Sequence, residues 1–318
     1  MELIANLSVQ GAQMALVLLI APLFTGLVRK VKAHLLRRQG ASVLQPYRDL
    51  VRLLRKEVVL AHNASWLFSV TPYLMFATTW VAAALVPTFA MGLYFSWSAD
   101  LIAITALIAS ARFFLALAGM DVGTSFGGIG SSREVMIASL AEPAMIMITF
   151  TLALVAGSTQ LSNIATFMLS PEAGLSVSLG LALVALVIVA LAENARVPVD
   201  NPATHLELTM VHEAMVLEYS GRHLAMIEFA ASLKLLLYAS LIACIFVPWG
   251  LAAEGAGPAA FALGVLAYLA KLGIGAVLLA LFETAIAKMR VFRVPEFLGG
   301  AFMLGLLGSL LLFVVQSQ

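Results

Sequence analysis

Eight long apolar runs, separated by gaps of alternating charge, constrain this chain more than any other feature. Each run has about 17–25 residues, which as a helix can cross the roughly 30 Å hydrocarbon core of a bilayer. With 62% hydrophobic and 11% charged residues, the chain has too much apolar surface for a water-soluble domain. The runs lie at about residues 8–28, 67–95, 100–120, 134–157, 175–192, 223–248, 259–287 and 297–315. Because they are continuously apolar instead of alternating, they predict an all-α integral membrane domain and not a β-barrel.

Basic residues occupy every second gap between these runs. Of the eighteen Lys and Arg residues, all but Arg112, Lys234 and Lys271 lie in the gaps after runs one, three, five and seven. By the positive-inside rule these four gaps are cytoplasmic and both termini lie outside, which the even number of spans allows. The four gaps are residues 29–65, 121–133, 193–222 and 288–296. Membrane edges explain the basic residues, so the net charge of +1 does not indicate a nucleic-acid partner.

The residue types of metal and redox centres are scarce in this chain. Cys244 is the only cysteine and lies in an apolar run, which excludes an internal disulfide and a cysteine-ligated cluster. His212-Glu213 begins like a zinc-protease helix, but Val216 stands where the second His would have to be. The sequence therefore predicts no metal site and no cofactor in the chain itself.

The first predicted cytoplasmic loop contains an amphipathic segment, residues 46–60, which Pro46 begins. Its apolar stripe has the i, i+3, i+4, i+8 spacing of one helix face and consists of Leu50, Leu53, Leu54 and Val58. Charged residues, among them Arg48 and Asp49, cover the remainder. This pattern is typical of a helix that lies in the membrane plane. It serves either as a connector on the membrane surface or as a docking ledge for a soluble partner.

The third predicted cytoplasmic loop is unusually acidic for its side of the membrane. Asp200 or Asn201 can cap a helix with Pro202 in its first turn, and Gly221 can end that helix in the left-handed conformation. The acidic residues are Glu193, Asp200, Glu207, Glu213 and Glu218. Two interpretations stay open, namely a solvated amphipathic helix and an interface or proton-handling surface at the membrane boundary.

Ionisable residues also lie inside the predicted spans, where a charge costs roughly 2.5–3.5 kcal/mol at the bilayer centre. They are Arg112, Glu142, Glu228, Lys234, Lys271 and Glu283. Residue counts from the nearest loop, at about 1.5 Å per residue, place the carboxylates shallow on the cytoplasmic side and the lysines deep. The sequence leaves two alternatives, structural ion pairs between helices and a cytoplasmic half-channel for protons.

Two shorter features concern the fourth run. The glycines of residues 123–130 predict a flexible turn that lacks the spacing of a nucleotide-binding loop. Pro143, directly after Glu142, predicts a kink within the span.

Three sets of motifs resemble those of one protein family. In the third loop they are Glu193-x-x-Arg196-x-Pro198-x-Asp200-x-Pro202, Glu207-Leu208 and Glu218-Tyr219-Ser220. In the first loop they are Arg37-Arg38-x-Gly40, Leu44-Gln45-Pro46-Tyr47-Arg48-Asp49 and Lys56-Glu57. The last set is Ser131-Ser132-Arg133-Glu134 with Ala141-Glu142-Pro143. Over nearly its whole length the chain resembles the complex I membrane subunit 1 family. Within that family it is most similar to the membrane-anchor C subunit of energy-converting NiFe hydrogenases, the hydrogenase-4 and formate hydrogenlyase type.

The resemblance implies a non-catalytic membrane-anchor subunit that couples redox events to proton translocation. The implied partners are soluble hydrogenase-like large and small subunits, antiporter-like membrane subunits and lipid. A NiFe centre and iron-sulfur clusters are expected in those partners, and the implied location is a bacterial or archaeal plasma (inner) membrane. The docking residues that it implies are Glu193, Arg196, Asp200, Glu207, Glu213, Glu218, Arg48 and Asp49.

One departure from the family pattern bears on quinone. Ala203-Thr204-His205-Leu206 stands where complex I proper has several Glu residues in quick succession, which disfavours a quinone site and favours the hydrogenase-related branch. The alternatives are a quinone-site subunit of a complex I-type dehydrogenase and a stand-alone secondary ion transporter.

Overall fold

The computed structural model describes residues 2–171, 174, 176–200, 210–253, 255–290 and 293–316. Within these residues the chain forms eleven α-helices. They are α1 (Glu2–Leu35), α2 (Gln45–Leu54), α3 (Trp66–Leu85), α4 (Leu101–Asp121), α5 (Ser125–Ala156), α6 (Leu161–Leu169), α7 (Val177–Glu193), α8 (His212–Val216), α9 (Gly221–Phe246), α10 (Pro258–Ala285) and α11 (Val294–Gln316).

The all-α membrane fold is confirmed. In the described part of the chain, seven helices are long and apolar enough to cross a membrane, namely α1, α3, α4, α5, α9, α10 and α11. The remaining predicted run coincides with α7, which has 17 residues and is therefore about 26 Å long. The chain is accordingly a multi-pass membrane protein.

Polar side chains determine where several spans begin. The Ser65 hydroxyl accepts the Leu67 N–H at the start of α3, and the Asp100 carboxylate accepts the Ile102 N–H at 2.7 Å at the start of α4. Thr124 caps α5 by accepting the Gly127 N–H at 3.0 Å. Such caps satisfy N–H groups that the helix itself leaves free, which matters at a membrane boundary.

Two predicted boundaries within the bundle are wrong. The second run was expected to reach residue 95, but α3 ends at Leu85 because Pro87 holds Val86 in extended backbone. Residues 123–130 were predicted to be a flexible turn, but from Ser125 onward they form the first part of α5. These glycines allow close helix packing, since a Cβ at Gly127 would collide with the backbone carbonyl of Gly119 on α4.

The amphipathic helix α2 exists but is shorter than predicted. It ends at Leu54, so Val58 is not part of its apolar stripe. The backbone beyond it is held by the start of α9, because Val59 N–H donates to the Ser220 hydroxyl at 2.8 Å. Gly221 has φ +54° and lies directly against the Glu57 carbonyl, where a Cβ would collide.

The chain segments between spans gather at two ends of the bundle. We call one end the charged face. There α1 ends, α2 lies and α3 begins, and residues 193–200, 210–220 and 286–290 meet. At the opposite face, the backbones of Ala90 and Ala252 are paired, and so are those of Asp100 and Gln160. Helices α4, α5, α7 and α9 pack on one another or on shared neighbours in the middle of the bundle.

The third predicted loop is not a solvated helix in its described part. Residues 201–209 lie outside the described residues, and with them the predicted helix start at Pro202. The helix that follows, α8, has only five residues. Val199, Met215 and Tyr219 are buried, so this segment runs inside the bundle, where irregular backbone is tolerated because protein surrounds it. Gly221 is left-handed as predicted, but it begins α9.

Candidate functional site

Four charged residues from four helices meet inside the bundle. The Arg112 guanidinium on α4 forms an ion pair with Glu193 at the end of α7. The Arg112 Nε lies 3.4 Å from Glu134 Oε1 on α5, and the Lys234 Nζ on α9 lies 3.3 Å from Glu193 Oε2. The side chains of Arg112, Glu134 and Glu193 are 3%, 8% and 3% exposed. We call Arg112, Glu134, Glu193 and Lys234 the buried charge cluster.

The buried charge cluster is balanced, with two cations and two carboxylates. Removing charges from water costs several kcal/mol per ion, and only close partners offset that cost. The hydrogen bonding of the cluster is incomplete, because Arg112 Nη1 has no hydrogen-bond partner among the described residues. A cluster of this kind responds strongly to any change in the charge of one member, since burial weakens dielectric screening.

A second set of ion pairs ties the charged face together. Glu283 near the end of α10 accepts Lys32 Nζ at 2.6 Å and Arg196 Nη1 at 3.2 Å. Asp200 accepts Lys288 Nζ at 2.7 Å and the N–H of Val211, just before α8, at 3.3 Å. We call these contacts the loop ion pairs, because they fasten the segment from α7 to α9 onto α1 and α10.

The environment of Arg196 differs from that of an ordinary surface arginine. Burial lowers its pKa below the ordinary value, the Glu283 carboxylate opposes that shift, and nearby Arg29 adds to it. The guanidinium is held in place by its ion pair with Glu283. Glu193, three residues earlier, is instead directed into the buried charge cluster.

Two neighbouring cavities lie at these two sets of charges. A cavity of about 430 Å³ opens at the charged face and is lined by Arg29, Lys32, Arg196, Asp200, His212, Glu213, Glu228 and Glu283, among others. A cavity of about 50 Å³ lies at the buried charge cluster. Asn194, Ala195, His212 and Ala231 line both, so these residues form the wall between the two cavities.

His212 is the titratable residue in that wall. Burial lowers its pKa below the ordinary value, Lys234 and Arg112 lower it further, and Glu134 and Asp200 oppose the shift. The imidazole is therefore neutral near pH 7, and a neutral imidazole both donates and accepts a proton. His212 thus has the chemistry to relay protons between the two cavities.

The residues predicted for proton handling fall into three groups. Arg112 and Lys234 belong to the buried charge cluster, and Glu283 belongs to the loop ion pairs. Glu228 lines the larger cavity. The structure does not bring Glu142 or Lys271 to these sites, and within the described residues neither makes an ion pair. Carboxylates are also not confined to the shallow positions, because Glu193 lies level with Lys234.

The residues predicted for docking are similarly divided. Glu193 and Asp200 are buried, whereas Glu213 lines the larger cavity. Glu218 accepts a hydrogen bond from Thr124, the residue that caps α5. Arg48 is exposed on α2, and Asp49 accepts from Arg52 at 3.0 Å. Glu207 lies outside the described residues.

The sequence does not predict Glu134, His212 and Lys32 as site residues. Hydropathy places Glu134 at the edge of a span, because the fourth apolar run begins there. The position of the turn carried a signal: Arg112 lies nine residues before Asp121, and Glu134 lies nine residues after Ser125. In a helical hairpin these positions are at equal depth, so their opposite charges predict a pair.

Comparisons with known proteins agree with this architecture. The family described as NADH dehydrogenase matches residues 9–314. Formate hydrogenlyase subunit 4 of Escherichia coli (strain K12) is 34% identical over 277 residues, which are 87% of this chain and 89% of that protein. Hydrogenase-4 component C of the same organism is 34% identical over 244 residues, 76% of each chain. NADH-quinone oxidoreductase subunit 8 of Rhodothermus marinus is 27% identical over 243 residues, 72% of this chain and 69% of that protein.

A solved structure shares the fold. A chain of the membrane-bound sulfane sulfur reductase, an archaeal respiratory membrane complex, superposes with a TM-score of 0.77 at 19% identity, and the match covers 95% of this chain and 99% of that one. The matched family extends over nearly the whole chain, and the relatives are subunits of hydrogenase-type and complex I-type complexes. The protein is therefore a membrane subunit of a redox complex and belongs to the complex I membrane subunit 1 family, described as NADH dehydrogenase.

Proposed function

We propose that this subunit anchors a soluble hydrogenase-like redox arm to the membrane and couples events in that arm to proton movement. The observation that carries the proposal is the shared wall between the two cavities. Through His212, a cavity that opens at the charged face adjoins the four charges of the buried charge cluster, of which Lys234 is partly exposed at 16%. A route for charge from the membrane edge to its interior is what a coupling subunit needs.

In this proposal the loop ion pairs transmit the effect of docking to His212. Asp200 contacts both Lys288 and the backbone before α8, and α8 carries His212. A docked arm that shifts the charge on this segment would move His212 relative to Glu134 and Lys234. The free energy of protonation in the buried charge cluster would change with it, because burial strengthens such interactions.

The charged face is the proposed docking floor for the arm. The exposed Arg48 on α2 and the partly buried Glu213 and Glu218 lie on it, and charges of both signs suit a polar protein surface. In this arrangement the charged face is cytoplasmic, and the membrane is a bacterial or archaeal plasma membrane. The NiFe centre and iron-sulfur clusters belong to the partner subunits, and the proton leaves through antiporter-like neighbours.

The coupling proposal is tested in the assembled complex, reconstituted in vesicles, with Lys234→Met and with the charge-balanced double variant Glu193→Gln/Lys234→Met. We expect electron transfer to continue while proton pumping per electron falls at least about tenfold. Glu296→Gln, at an exposed position at the start of α11, is the matched control and should pump normally. Full coupling in both cluster variants would refute the proton route.

The docking proposal is tested by purification in mild detergent. A large and a small hydrogenase-like subunit should copurify with the chain, and crosslinkers at Arg48 and Glu218 should reach them. Ion transport by the purified single chain, without any soluble partner, would instead support a stand-alone transporter. Labelling of both positions by an impermeant reagent in the intact complex would contradict the docking floor.

A further inference from the structure

Lys271 occupies an unusual position in the middle of α10. Thirteen residues separate it from Pro258 at the start of the helix and fourteen from Ala285 at its end. At about 1.5 Å per residue, Lys271 is therefore roughly 20 Å from either end. Its side chain is partly exposed, and within the described residues it makes neither an ion pair nor a hydrogen bond.

The side chain lines a groove on the outside of the bundle. This groove of about 450 Å³ lies between α7, α9 and α10, and apolar residues such as Val187, Ile242 and Leu278 form most of its wall. Helix α10 packs mainly on α1 and α9, so its remaining surface is open on this side. Asn194 lines the groove and also both internal cavities, which places the groove next to the proposed proton route.

An unpaired ammonium at this depth is unfavourable in lipid. On insertion scales a lysine at the bilayer centre is among the most unfavourable residues. A lysine near a helix end avoids this cost by extending its flexible stem to water. Lys271 cannot do so, because its stem of about 6 Å is much shorter than the distance to either helix end. A negative charge at the same depth would remove the penalty.

We propose that the groove binds a transmembrane helix of a neighbouring membrane subunit that carries a carboxylate near the middle of the bilayer. A transmembrane helix can present a carboxylate at that depth, whereas phospholipid phosphates stay at the interface. A neighbouring helix can approach the groove closely, because Gly275, one turn after Lys271, has no side chain. A Cβ at this position would meet nothing of this chain within 4 Å. This inference rests on the proposed function, because it names the lateral partner of the coupling subunit.

A matched pair of glycines on α10 provides the test. Gly275 lines the groove, whereas Gly273 does not, and a Cβ at either position meets nothing within 4 Å of this chain. Replacing either glycine by leucine leaves the subunit intact and favours the helix. In the full complex, Gly275→Leu should lower the amount of the neighbouring membrane subunit that copurifies at least fivefold. Gly273→Leu should leave it unchanged, and equal effects of the two variants would overturn the proposal.

A photo-crosslinker at position 275, with position 273 as control, identifies the occupant. We expect an adduct with a transmembrane segment that contains Asp or Glu. Lys271→Glu should reduce that adduct, and changing the partner's carboxylate to Lys should restore it. Adducts with lipid alone, or with a helix that has no carboxylate, would refute the proposal. Loss of the soluble arm from the wild-type complex would instead refute the proposed docking function, because the crosslink does not depend on it.

Discussion

Glu193, the last residue of α7, forms an ion pair with Arg112 from the middle of α4, and both side chains are only 3% exposed. A helix that crosses a bilayer normally ends in water, but α7 ends beside two cations inside the bundle. The second cation is Lys234, 3.3 Å from the same carboxylate. The end of α7 therefore links α4 to α9 and directs the chain that follows into the bundle.

Neutralising Glu193 should destabilise the protein strongly. Glu193→Gln leaves Arg112 and Lys234 with one carboxylate between them, and breaking a buried pair costs roughly 3–5 kcal/mol. The double variant Glu193→Gln/Lys234→Met restores the balance of charge and should recover a large part of that loss. Thermal unfolding in detergent measures both. A double variant less stable than the single one would show that Lys234 is held by other groups.

The contacts of Glu283 should contribute more to the unfolding free energy than those of Glu228, although both carboxylates line the larger cavity. Glu283→Gln removes the ion pairs with Lys32 and Arg196 and should cost about 1–3 kcal/mol of unfolding free energy. Glu228→Gln is the matched control, because Glu228 has no ion pair among the described residues. Equal losses of stability would mean that cavity charge, and not pairing, determines the effect.

Asp200→Asn should loosen the segment around α8. The carboxylate accepts Lys288 Nζ and the Val211 N–H, and loss of the charge weakens both contacts. We expect hydrogen exchange of residues 211–220 to accelerate at least about fivefold, while α4 stays protected. Asp49→Asn, which breaks the exposed pair with Arg52, should change little. Unchanged exchange in Asp200→Asn would show that other contacts hold the segment.

His212 should make the protein less stable in mild acid. Its pKa in the folded protein lies below the ordinary value of 6.5, so well above pH 6.5 the imidazole is neutral whether the chain is folded or not. As the pH falls below 6.5, the unfolded chain binds the proton first and stability decreases until the pH passes the folded pKa. His212→Gln should flatten the profile of melting temperature against pH in that window. A profile identical to that of the wild type would contradict the buried neutral histidine.

Gly221→Ala should disrupt the junction between residues 55–60 and α9. The left-handed backbone costs a non-glycine residue about 1–2 kcal/mol, and the new Cβ would collide with the Glu57 carbonyl. Gly128→Ala in α5, where a Cβ meets nothing within 4 Å, should be neutral or slightly stabilising. Calorimetry of the two variants distinguishes a local backbone requirement from a general intolerance of substitution.

Most of the fold could be predicted from hydropathy and from the turn residues. The apolar runs locate the spans, and Pro46, Gly221 and Asp100 lie at or next to helix starts or turns as local chemistry requires. Pro87 also indicates the early end of α3. The apolar run that continues to residue 95 nevertheless predicts a longer helix. Local signals therefore determine where helices begin and end more reliably than hydropathy alone.

The pairing of charges was harder to predict from the sequence. Arg112 with Glu134 follows from hairpin geometry and could have been predicted. The contact between Glu193 and Lys234 could not, because it depends on α7 ending inside the bundle. That position is set by the packing of the segment from α7 to α9, including Val199 and Met215, and packing of this kind has no periodic signature in the chain.

The chain order of the buried charge cluster has a consequence for biogenesis. During synthesis the four residues enter the membrane as Arg112, Glu134, Glu193 and then Lys234. Arg112 is followed at once by Glu134, because α4 and α5 form a hairpin that can insert as a unit. The running total of charge is then +1, 0, −1 and 0, so the growing protein never exposes more than one uncompensated cluster charge to lipid. An order with both cations or both carboxylates first would force the insertion machinery to stabilise two like charges at once.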